Sequence, residues 1–190
     1  MSIKNRINSR LSPEFVLLGF HYQHAGHGYE LHRRLRDEFG NKWHASQSQT
    51  YNILKRLEAQ GYISSRAVEQ EKLPPRLLLS ITEQGKERFE YWLKQPTKSS
   101  VHAIRVEFVT RLYFTELYRS EDTQDMIRAQ LEVVKSGLTQ LQASLTNIPT
   151  ERIYDRLALE LRIQLLSSVI NWLNACQETY KIRNKIDKDQ

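Results

Sequence analysis

The chain has 190 residues, enough for one or two small domains, and its 28 Lys and Arg against 22 Asp and Glu give a formal net charge of +6. No apolar run approaches the roughly 18 residues of a membrane span, and the basic start with Lys4, Arg6 and Arg10 lacks the apolar core of a secretion signal. We therefore expect a cytoplasmic protein with no membrane partner. Cys176 is the only cysteine, which excludes an intrachain disulfide and favours a buried small side chain over a redox sensor.

Two helices are indicated at the start of the chain by their caps and apolar spacing. Residues 11–24 are patterned as a helix, with Ser12 as its cap and Pro13 at the first helical position. After a glycine-bearing turn, a second helix is predicted over residues 29–39, ending at Gly40. The apolar positions are Phe15, Leu18 and Tyr22 in the first helix, and Leu31, Leu35 and Phe39 in the second.

A third helix begins at a capping box, in which Ser46 and Gln49 satisfy each other's backbone amides. Gly61 ends it, because glycine tolerates the left-handed conformation just past a helix. Tyr51, Leu54 and Leu57 recur at i, i+3 and i+6, so we interpret them as its core stripe. We also interpret Trp43 as packing the turn that precedes this helix.

Two strands follow, over residues 62–68 and 76–81, and a further helix runs from Thr82 to Leu93. The connector over residues 69–75 ends in two prolines, which we expect to keep it out of the β ladder. The sequence thus predicts a hairpin with a projecting tip. Lys72 and Arg76 suit phosphate contact, although two glutamates in the same connector oppose it.

The third helix and the hairpin together indicate a DNA-binding winged helix-turn-helix. Its amide side chains match the edge of adenine, and its cations match phosphates or guanine. Residues 1–96 carry 15 Lys and Arg against 10 Asp and Glu, whereas residues 97–190 carry 13 against 12, so the excess charge lies where DNA would bind. The alternative is a solvated polar face on an ordinary core helix. The assigned DNA contacts are Ser46, Gln47, Gln49, Asn52, Lys55, Arg56, Lys72 and Arg76.

A polar, proline-bearing linker over residues 95–100 predicts a boundary between domains 1–96 and 97–190. Beyond it we expect helices over residues 101–118, over residues 122–145, and from about residue 150 to Tyr180. Ile153, Leu157, Leu161, Leu165, Val169, Trp172, Leu173, Cys176 and Tyr180 are assigned to one side of the last helix. Long helices of this kind need a partner to bury their apolar faces, and the alternative is a closed bundle within one chain. The assigned dimerisation residues are Leu131, Leu138, Leu157, Leu161, Leu165, Val169 and Trp172.

The first half of the chain resembles the PadR family of bacterial transcriptional regulators. The residues that carry the resemblance, in order, are Leu11–Pro13, His27–Leu31, Phe39–Gly40, Ser46, Gln49, Tyr51, Leu54–Glu58, Gly61, Pro75–Arg76 and Thr82–Gly85. The second half resembles the helical C-terminal domain of the longer, virulence-activator-like branch.

The resemblance implies a mainly α-helical fold with a small β-hairpin: an N-terminal winged helix-turn-helix and a C-terminal helical dimerisation domain. It implies a homodimer on an inverted-repeat operator, with the helix near Ser46 as recognition helix and the hairpin over residues 62–81 as wing. The chain departs from the family at Leu77–Leu79 in the second wing strand, where members commonly carry an aromatic residue.

Other classes of function find less support in the sequence. His21, His24 and His27 are spaced by three, but no matching carboxylate or thiolate completes a metal site, and no catalytic motif is present. A winged-helix module that binds protein instead of DNA is the main alternative. Trp92 and Trp172 are candidates to line a pocket for a small aromatic effector between the domains, or else they fill hydrophobic gaps. Lys4, Arg6 and Arg10 either form an arm along the phosphate backbone or belong to a disordered leader.

Overall fold

The computed structural model describes residues 12–70 and 73–186, with the backbone alone at residues 70, 73–75 and 184–186. The contacts within the chain divide it into two compact units, Met1–Gln95 and Pro96–Gln190. In the described ranges, no helix has both the length and the apolarity that crossing a bilayer requires. The predicted contacts of Lys72 and of the cations Lys4, Arg6 and Arg10 lie outside the described residues.

The first unit has the helix and hairpin order that the sequence predicts. Its elements are α1 (Glu14–Phe20), β1 (Gly26–His27), α2 (Gly28–Phe39), α3 (Gln47–Ala59), β2 (Ile63–Gln70), β3 (Leu73–Ile81) and α4 (Glu83–Lys94). The helix α1 ends before the predicted residue 24, because the amide of Tyr22 turns back to the carbonyl of Gly19 at 3.1 Å. Such i to i−3 bonds tighten and close the last turn of a helix.

The sheet of the first unit has three antiparallel strands in the order β1, β3, β2, one strand more than the predicted hairpin. Gly26 pairs with Leu79 and His27 with Leu78, so part of the predicted glycine-bearing turn is a strand. The strand β3 begins at Leu73, earlier than predicted, but the register pairs Gln70 with Leu73 and Val68 with Arg76 and skips the two prolines, as expected. A register irregularity between Val68 and Gln70 lies opposite them, and a bulge tolerates residues that lack an N–H group.

The core of the first unit forms around α1. More faces of this helix are buried than the single apolar stripe that the sequence predicted. Val16 and Leu17 are buried along with Phe15 and Leu18. Short apolar helices that are surrounded by other elements lose the one-sided pattern of a surface helix. Trp43 is also buried, as predicted for the turn before α3.

In its described residues, the second unit consists of helices joined by short turns and loops, and no strand is found there. Its elements are α5 (Val101–Ala103), a π-helical segment (Ile104–Phe108), α6 (Val109–Tyr118), a 3₁₀ turn (Ser120–Asp122), α7 (Thr123–Thr146) and α8 (Ile153–Ile186). The first predicted helix is therefore continuous over residues 101–118 but contains a π-helical insertion. The long helices α7 and α8 pack on each other, and Ile127, Val134 and Leu166 belong to their shared core.

The helix α8 has two apolar faces where the sequence predicted one. Leu159, Leu166 and Leu173 recur at i, i+7 and i+14 and are buried. The exposed face comprises Tyr154, Leu157, Leu161, Leu165 and Trp172, which we call the outer stripe. Of the other residues assigned to the same side, Leu173 is buried, and Val169, Cys176 and Tyr180 pack partly buried against the core of the unit.

Candidate nucleic-acid interface

The position of α3 is fixed at both of its ends by the predicted caps. The Ser46 hydroxyl accepts a hydrogen bond from the Gln49 amide at 3.2 Å, and the Gln49 side chain accepts one from the Ser46 amide at 2.8 Å. At the other end, Gly61 has a φ of 75°, in the left-handed region that favours glycine. Both local predictions are confirmed, so the helix presents its side chains in a defined register.

The polar side chains of α3 lie on the surface, whereas its opposite face is buried. Gln47, Gln49, Asn52, Lys55 and Arg56 are all exposed. Thr50, Leu54 and Leu57 form the buried face at i, i+4 and i+7. Ser48, Asn52 and Lys55 recur with the same spacing opposite the buried face, so this stripe is the part of α3 that projects furthest from the core.

The predicted DNA contacts of α3 differ in how free they are to bind bases. The carbonyl oxygen of the Gln49 side chain already accepts the Ser46 amide, and the Ser46 hydroxyl already accepts the Gln49 amide. A bidentate amide contact to adenine needs both the donor and the acceptor of the side chain. Gln47 and Asn52 are therefore better suited than Gln49 to that contact.

Arg56 is bound to the body of the first unit by an ion pair. Its guanidinium donates to one oxygen of Glu14 at 2.9 Å, while the other oxygen of Glu14 accepts from Arg88 at 2.7 Å. The Arg88 side chain is 6% exposed and the Arg56 side chain is 48% exposed. Arg56 therefore has a fixed position and still presents part of its guanidinium to solvent.

The second strand of the hairpin brings Arg76 next to the start of α2. The Arg76 guanidinium lies 5.6 Å from the centre of the Tyr29 ring, within the range of a cation–π contact. The His27 Nδ1 atom lies 2.8 Å from the carbonyl oxygen of Leu77, which joins the start of α2 to β3. The base of the wing and the N-terminus of α2 therefore form one surface.

The prediction that Tyr51 belongs to the core was wrong. Its side chain is 37% exposed, and Thr50 occupies the inner position instead. The Thr50 hydroxyl is satisfied there, because it donates to the carbonyl of Ser46 at 3.1 Å and lies 3.1 Å from His32 Nδ1. A polar residue with two hydrogen-bond partners is cheap to bury, and a residue-type pattern alone does not reveal a partner that lies far away along the chain.

Tyr51 instead lines an open cleft of about 490 Å³ between α3, the start of α2 and β3. We call this the wing cleft. Its lining residues are His27, Gly28, Tyr29, Tyr51, Leu54, Lys55, Glu58, Arg76, Leu77 and Leu79. The glycine allows the close approach of α3, because a Cβ atom at Gly28 would lie 2.9 Å from Cε1 of Tyr51.

The histidines at the start of the chain lie in different environments. His21 is buried, and His27 and His32 make the contacts to Leu77 and Thr50 given above. Among the described residues, no group of three or more His, Cys, Asp or Glu side chains is arranged to hold a metal ion.

The two tryptophans that were candidates for effector binding have different surroundings. Trp92 is 2% exposed and its ring stacks on Phe15 with a centroid distance of 4.6 Å, so it is part of the first unit's core. Trp172 is 39% exposed and meets the ring of Phe108 edge-on at 6.1 Å. Trp92 therefore fills a position in the hydrophobic core, and Trp172 belongs to the outer stripe.

Comparison with known proteins agrees with this architecture in both halves of the chain. Residues 17–91 match the model of the transcriptional regulator PadR-like family, and residues 104–181 match that of the virulence activator alpha C-terminal domain. The chain is 28% identical over 133 residues to the negative transcriptional regulator PadR of Bacillus subtilis, covering 69% of this chain and 71% of that protein. It is 29% identical over 84 residues to a protein of Mycobacterium tuberculosis named as a probable transcriptional regulator, covering 44% of each.

Solved structures include a similar chain in the crystal structure of Bacillus subtilis PadR in complex with operator DNA. That chain has a TM-score of 0.45 and 22% sequence identity, and the match covers 90% of this chain and 99% of that one.

The helix and hairpin order of the first unit, together with the two family matches, defines a winged-helix regulator of transcription. The chain belongs to the PadR-like family of transcriptional regulators, with a virulence-activator type of C-terminal domain. The family resemblance drawn from the residues is thereby confirmed. The matching family and the Bacillus subtilis relative are both described as transcriptional regulators, and not as enzymes.

Proposed function

We propose that the protein is a cytoplasmic homodimer that binds an inverted-repeat operator with sequence specificity. The observation that carries the proposal is the exposed face of α3, where Asn52 and Lys55 project opposite a buried stripe. Asparagine amides pair with adenine, and lysine ammonium groups bind guanine or phosphate. The named partner of the similar Bacillus subtilis PadR structure, operator DNA, supports the same class of ligand.

In this function α3 enters the major groove and the wing contacts the flanking strand. Gln47 and Asn52 contact bases, while Lys55, Arg56 and Arg76 neutralise phosphates. Ser46 and Gln49 contribute mainly by capping the helix, and their remaining hydrogen-bonding groups are available to phosphate oxygens. Lys72 is proposed for phosphate contact from the sequence alone.

The outer stripe of α8 is the proposed dimer surface. Leu157 and Leu161 are each 56% exposed and Leu165 is 41% exposed, and the three form an apolar row at i, i+4 and i+8 on one helix. Contiguous exposed apolar rows of this kind mark protein interfaces, and a two-fold pairing of the same face would cover both copies. Leu131 is 4% exposed within its own unit's core, so it supports the surface from beneath and does not reach a partner directly. Leu138 and Val169 are partly buried against the same core.

Selection of bound fragments from random DNA tests the function. The proposal predicts enrichment of a palindrome with half-sites about one helical turn apart. A titration at two salt concentrations then separates DNA binding from the alternative of a protein-binding module, because release of phosphate counterions makes DNA affinity fall steeply with salt. Failure to enrich any sequence, with weak binding that does not depend on salt, would refute the proposal.

The dimer surface is tested by adding a charge to the outer stripe. Leu161→Glu should give the mass of one chain by light scattering at micromolar concentration, because burying an unpaired carboxylate is strongly unfavourable. Asn174→Glu is the matched control, since Asn174 is exposed on the same helix outside the stripe. A wild-type protein that is already monomeric, or a Leu161→Glu protein that stays dimeric, would contradict this surface.

A further inference from the structure

The connection between the two compact units is short and begins and ends at buried residues. The division between the units falls at the peptide bond from Gln95 to Pro96. Before this bond, Trp92 and Leu93 of α4 are buried, and after it Thr97 is buried. Gln95 and Pro96 are therefore the whole connection between the end of α4 and the first buried residue of the second unit.

Both residues of this connection have a restricted backbone. The Gln95 amide donates to the carbonyl of Trp92 at 3.2 Å. The ψ of Gln95 is 142°, the extended conformation that a following proline favours. The ring of Pro96 fixes its own φ. Flexible linkers, by contrast, are rich in glycine and serine. The connection is therefore a stiff spacer and not a loose tether.

Thr97 is held in the second unit through all of its polar groups. Its backbone amide donates to the Gln130 side chain, and its carbonyl accepts from the same side chain, each at 2.8 Å. Its hydroxyl accepts a hydrogen bond from the Arg111 guanidinium at 3.1 Å. Gln130 and Arg111 are themselves buried. Because hydrogen bonds are directional, the paired bonds to one amide fix both the position and the direction of the chain at Thr97.

The residues that follow are held against the same helix, α7. A Cβ atom at Gly137 would lie 2.3 Å from Oγ of Ser99, so this glycine lets the chain lie directly on α7. Gly137 follows Gln130 by seven residues, which places both on one face of the helix. The Ser100 hydroxyl then accepts from the amide of Ala103 at 3.2 Å and caps α5. The chain is thus fixed from its first buried residue to the start of α5.

The polar character of this attachment has a physical consequence. Hydrophobic contacts are not directional, so an aliphatic pair at positions 97 and 130 could bury the same surface and still allow the chain to shift. The Thr97–Gln130 pair instead determines where the chain leaves the second unit. The function of such a pair therefore concerns geometry as well as stability.

We propose that the Thr97–Gln130 pair is a positioning element that sets the half-site spacing of the operator, and this inference rests on the proposed function. The pair lies on α7, which packs on α8, the helix that carries the proposed dimer surface. A stiff spacer from there to α4 leaves the two α3 helices of a dimer little freedom to change their separation. One additional base pair moves a half-site by about 3.4 Å and turns it by about 35° around the duplex. The dimer should therefore accept one spacing and reject its neighbours.

Operators with altered spacing test this inference. The palindrome selected from random DNA supplies the half-sites, and duplexes are made with its own spacing, with one base pair more and with one base pair fewer. The wild-type protein should bind the altered duplexes at least about tenfold more weakly, because its two heads no longer bind together. Gln130→Leu should reduce this preference to about threefold or less, since the end of the spacer is released. Gln140→Leu, at an exposed position of α7, is the control and should keep the wild-type preference.

An insertion keeps the test decisive if circular dichroism shows that Gln130→Leu is poorly folded. The four residues Gly-Ser-Gly-Ser between Gln95 and Pro96 leave the pair intact and add a flexible reach of about 11 Å. This variant should lose the spacing preference to the same extent. The same insertion between Thr150 and Glu151, in the exposed turn after α7, should preserve it. Affinity for a duplex with a single half-site should be unchanged in every variant, because α3 is not altered.

The outcomes separate this inference from the proposed function. If the wild-type protein enriches no palindrome, the proposed function fails and takes this inference with it. If the wild type binds its operator but tolerates the altered spacings within threefold, the inference alone is overturned. It is also overturned if a folded Gln130→Leu protein keeps the wild-type preference, even where the insertion relaxes it, because spacing would then depend on linker length and not on the Thr97–Gln130 pair.

Discussion

The Glu14 carboxylate lies 2.9 Å from the Arg56 guanidinium and thereby ties the start of α1 to the exposed side of α3. Its second oxygen binds the buried Arg88 of α4. One carboxylate thus balances two cations from two helices and fixes the helix that is proposed to enter the DNA groove.

The first prediction concerns this carboxylate. Glu14→Gln should destabilise the protein by about 2–4 kcal/mol, because it leaves the Arg88 charge buried without its anionic partner. Urea unfolding measures the change. Glu83→Gln is the matched control: Glu83 pairs with Lys86 at 2.7 Å on the surface, with a side chain 84% exposed, so its loss should cost less than about 0.5 kcal/mol. Equal effects of the two variants would argue against a structural role for Glu14.

A second prediction concerns the packing of α4 on the hairpin. A Cβ atom at Gly85 would lie 2.0 Å from the backbone carbonyl oxygen of Tyr62, so Gly85→Ala must push α4 away from the start of β2. We expect a loss of about 1–3 kcal/mol in the free energy of unfolding. At Gly26 the nearest atom would be 3.8 Å away, an ordinary contact, so Gly26→Ala should cost clearly less. Thermal or urea unfolding of both variants compares them, and a Gly85→Ala protein as stable as Gly26→Ala would refute the clash.

The third prediction is a dependence of stability on pH. Burial lowers the pKa of His21 from 6.5 to about 4, and the positive charge of Arg34 acts in the same direction. The unfolded chain therefore takes up a proton at higher pH than the folded chain. Stability should be complete above about pH 6.5 and should fall by about 3 kcal/mol as the pH drops to about 4.

Unfolding measured at several pH values tests the role of His21. His21→Met keeps a similar volume without a titrating group, so the part of the pH dependence between pH 6.5 and 4 should shrink. His24→Met is the control, because His24 is exposed. If His21→Met retains the full slope of the wild type in this window, the acid sensitivity comes from other groups.

The fourth prediction concerns the start of the second unit. The backbone amide of Thr97 donates to the Gln130 side chain at 2.8 Å, and the Gln130 amide donates to the Thr97 carbonyl at 2.8 Å, with both residues buried. Arg111 adds a hydrogen bond to the Thr97 hydroxyl at 3.1 Å. Gln130→Leu removes both bonds to the Thr97 backbone and should cost about 2–4 kcal/mol, since each buried group left without a partner costs about 1–3 kcal/mol.

Gln140→Leu provides the comparison for this prediction. Gln140 lies on the same helix, α7, but is exposed, so the same change of side chain should leave the urea midpoint nearly unaltered. If the unfolding curves of the two variants coincide, the Thr97–Gln130 pair contributes little to the free energy of unfolding.

Predictions from the sequence were most successful for features whose physical cause lies within a few neighbouring residues. The capping box at Ser46, the left-handed Gly61 and the bounds of the helices over residues 101–118 and 122–145 depend on residues a few positions apart, which a linear pattern contains. The exposed amides and cations of α3 were also predictable, because helical periodicity separates them from Leu54 and Leu57. The ordered family motifs then allowed the class of regulator to be predicted correctly.

Predictions were wrong where a distant partner decides the outcome. Thr50 replaces Tyr51 on the inner face because His32, eighteen positions away along the chain, lies beside its hydroxyl. Likewise, β1 is a strand because it pairs with Leu78 and Leu79. Its two residues are too few to show the alternation of apolar and polar side chains from which a strand could be predicted.

The helix α8 shows most clearly which features depend on the sequence alone and which depend on the tertiary structure. Its sequence by itself determined that a long helix rich in leucine forms, since propensity and spacing act within a few turns. Only the tertiary structure decided that Leu159, Leu166 and Leu173 face α7 while Leu157 and Leu161 stay exposed. The reason is physical: all five are leucines of equal hydrophobicity, so which of them leave water depends on where α7 lies against the helix.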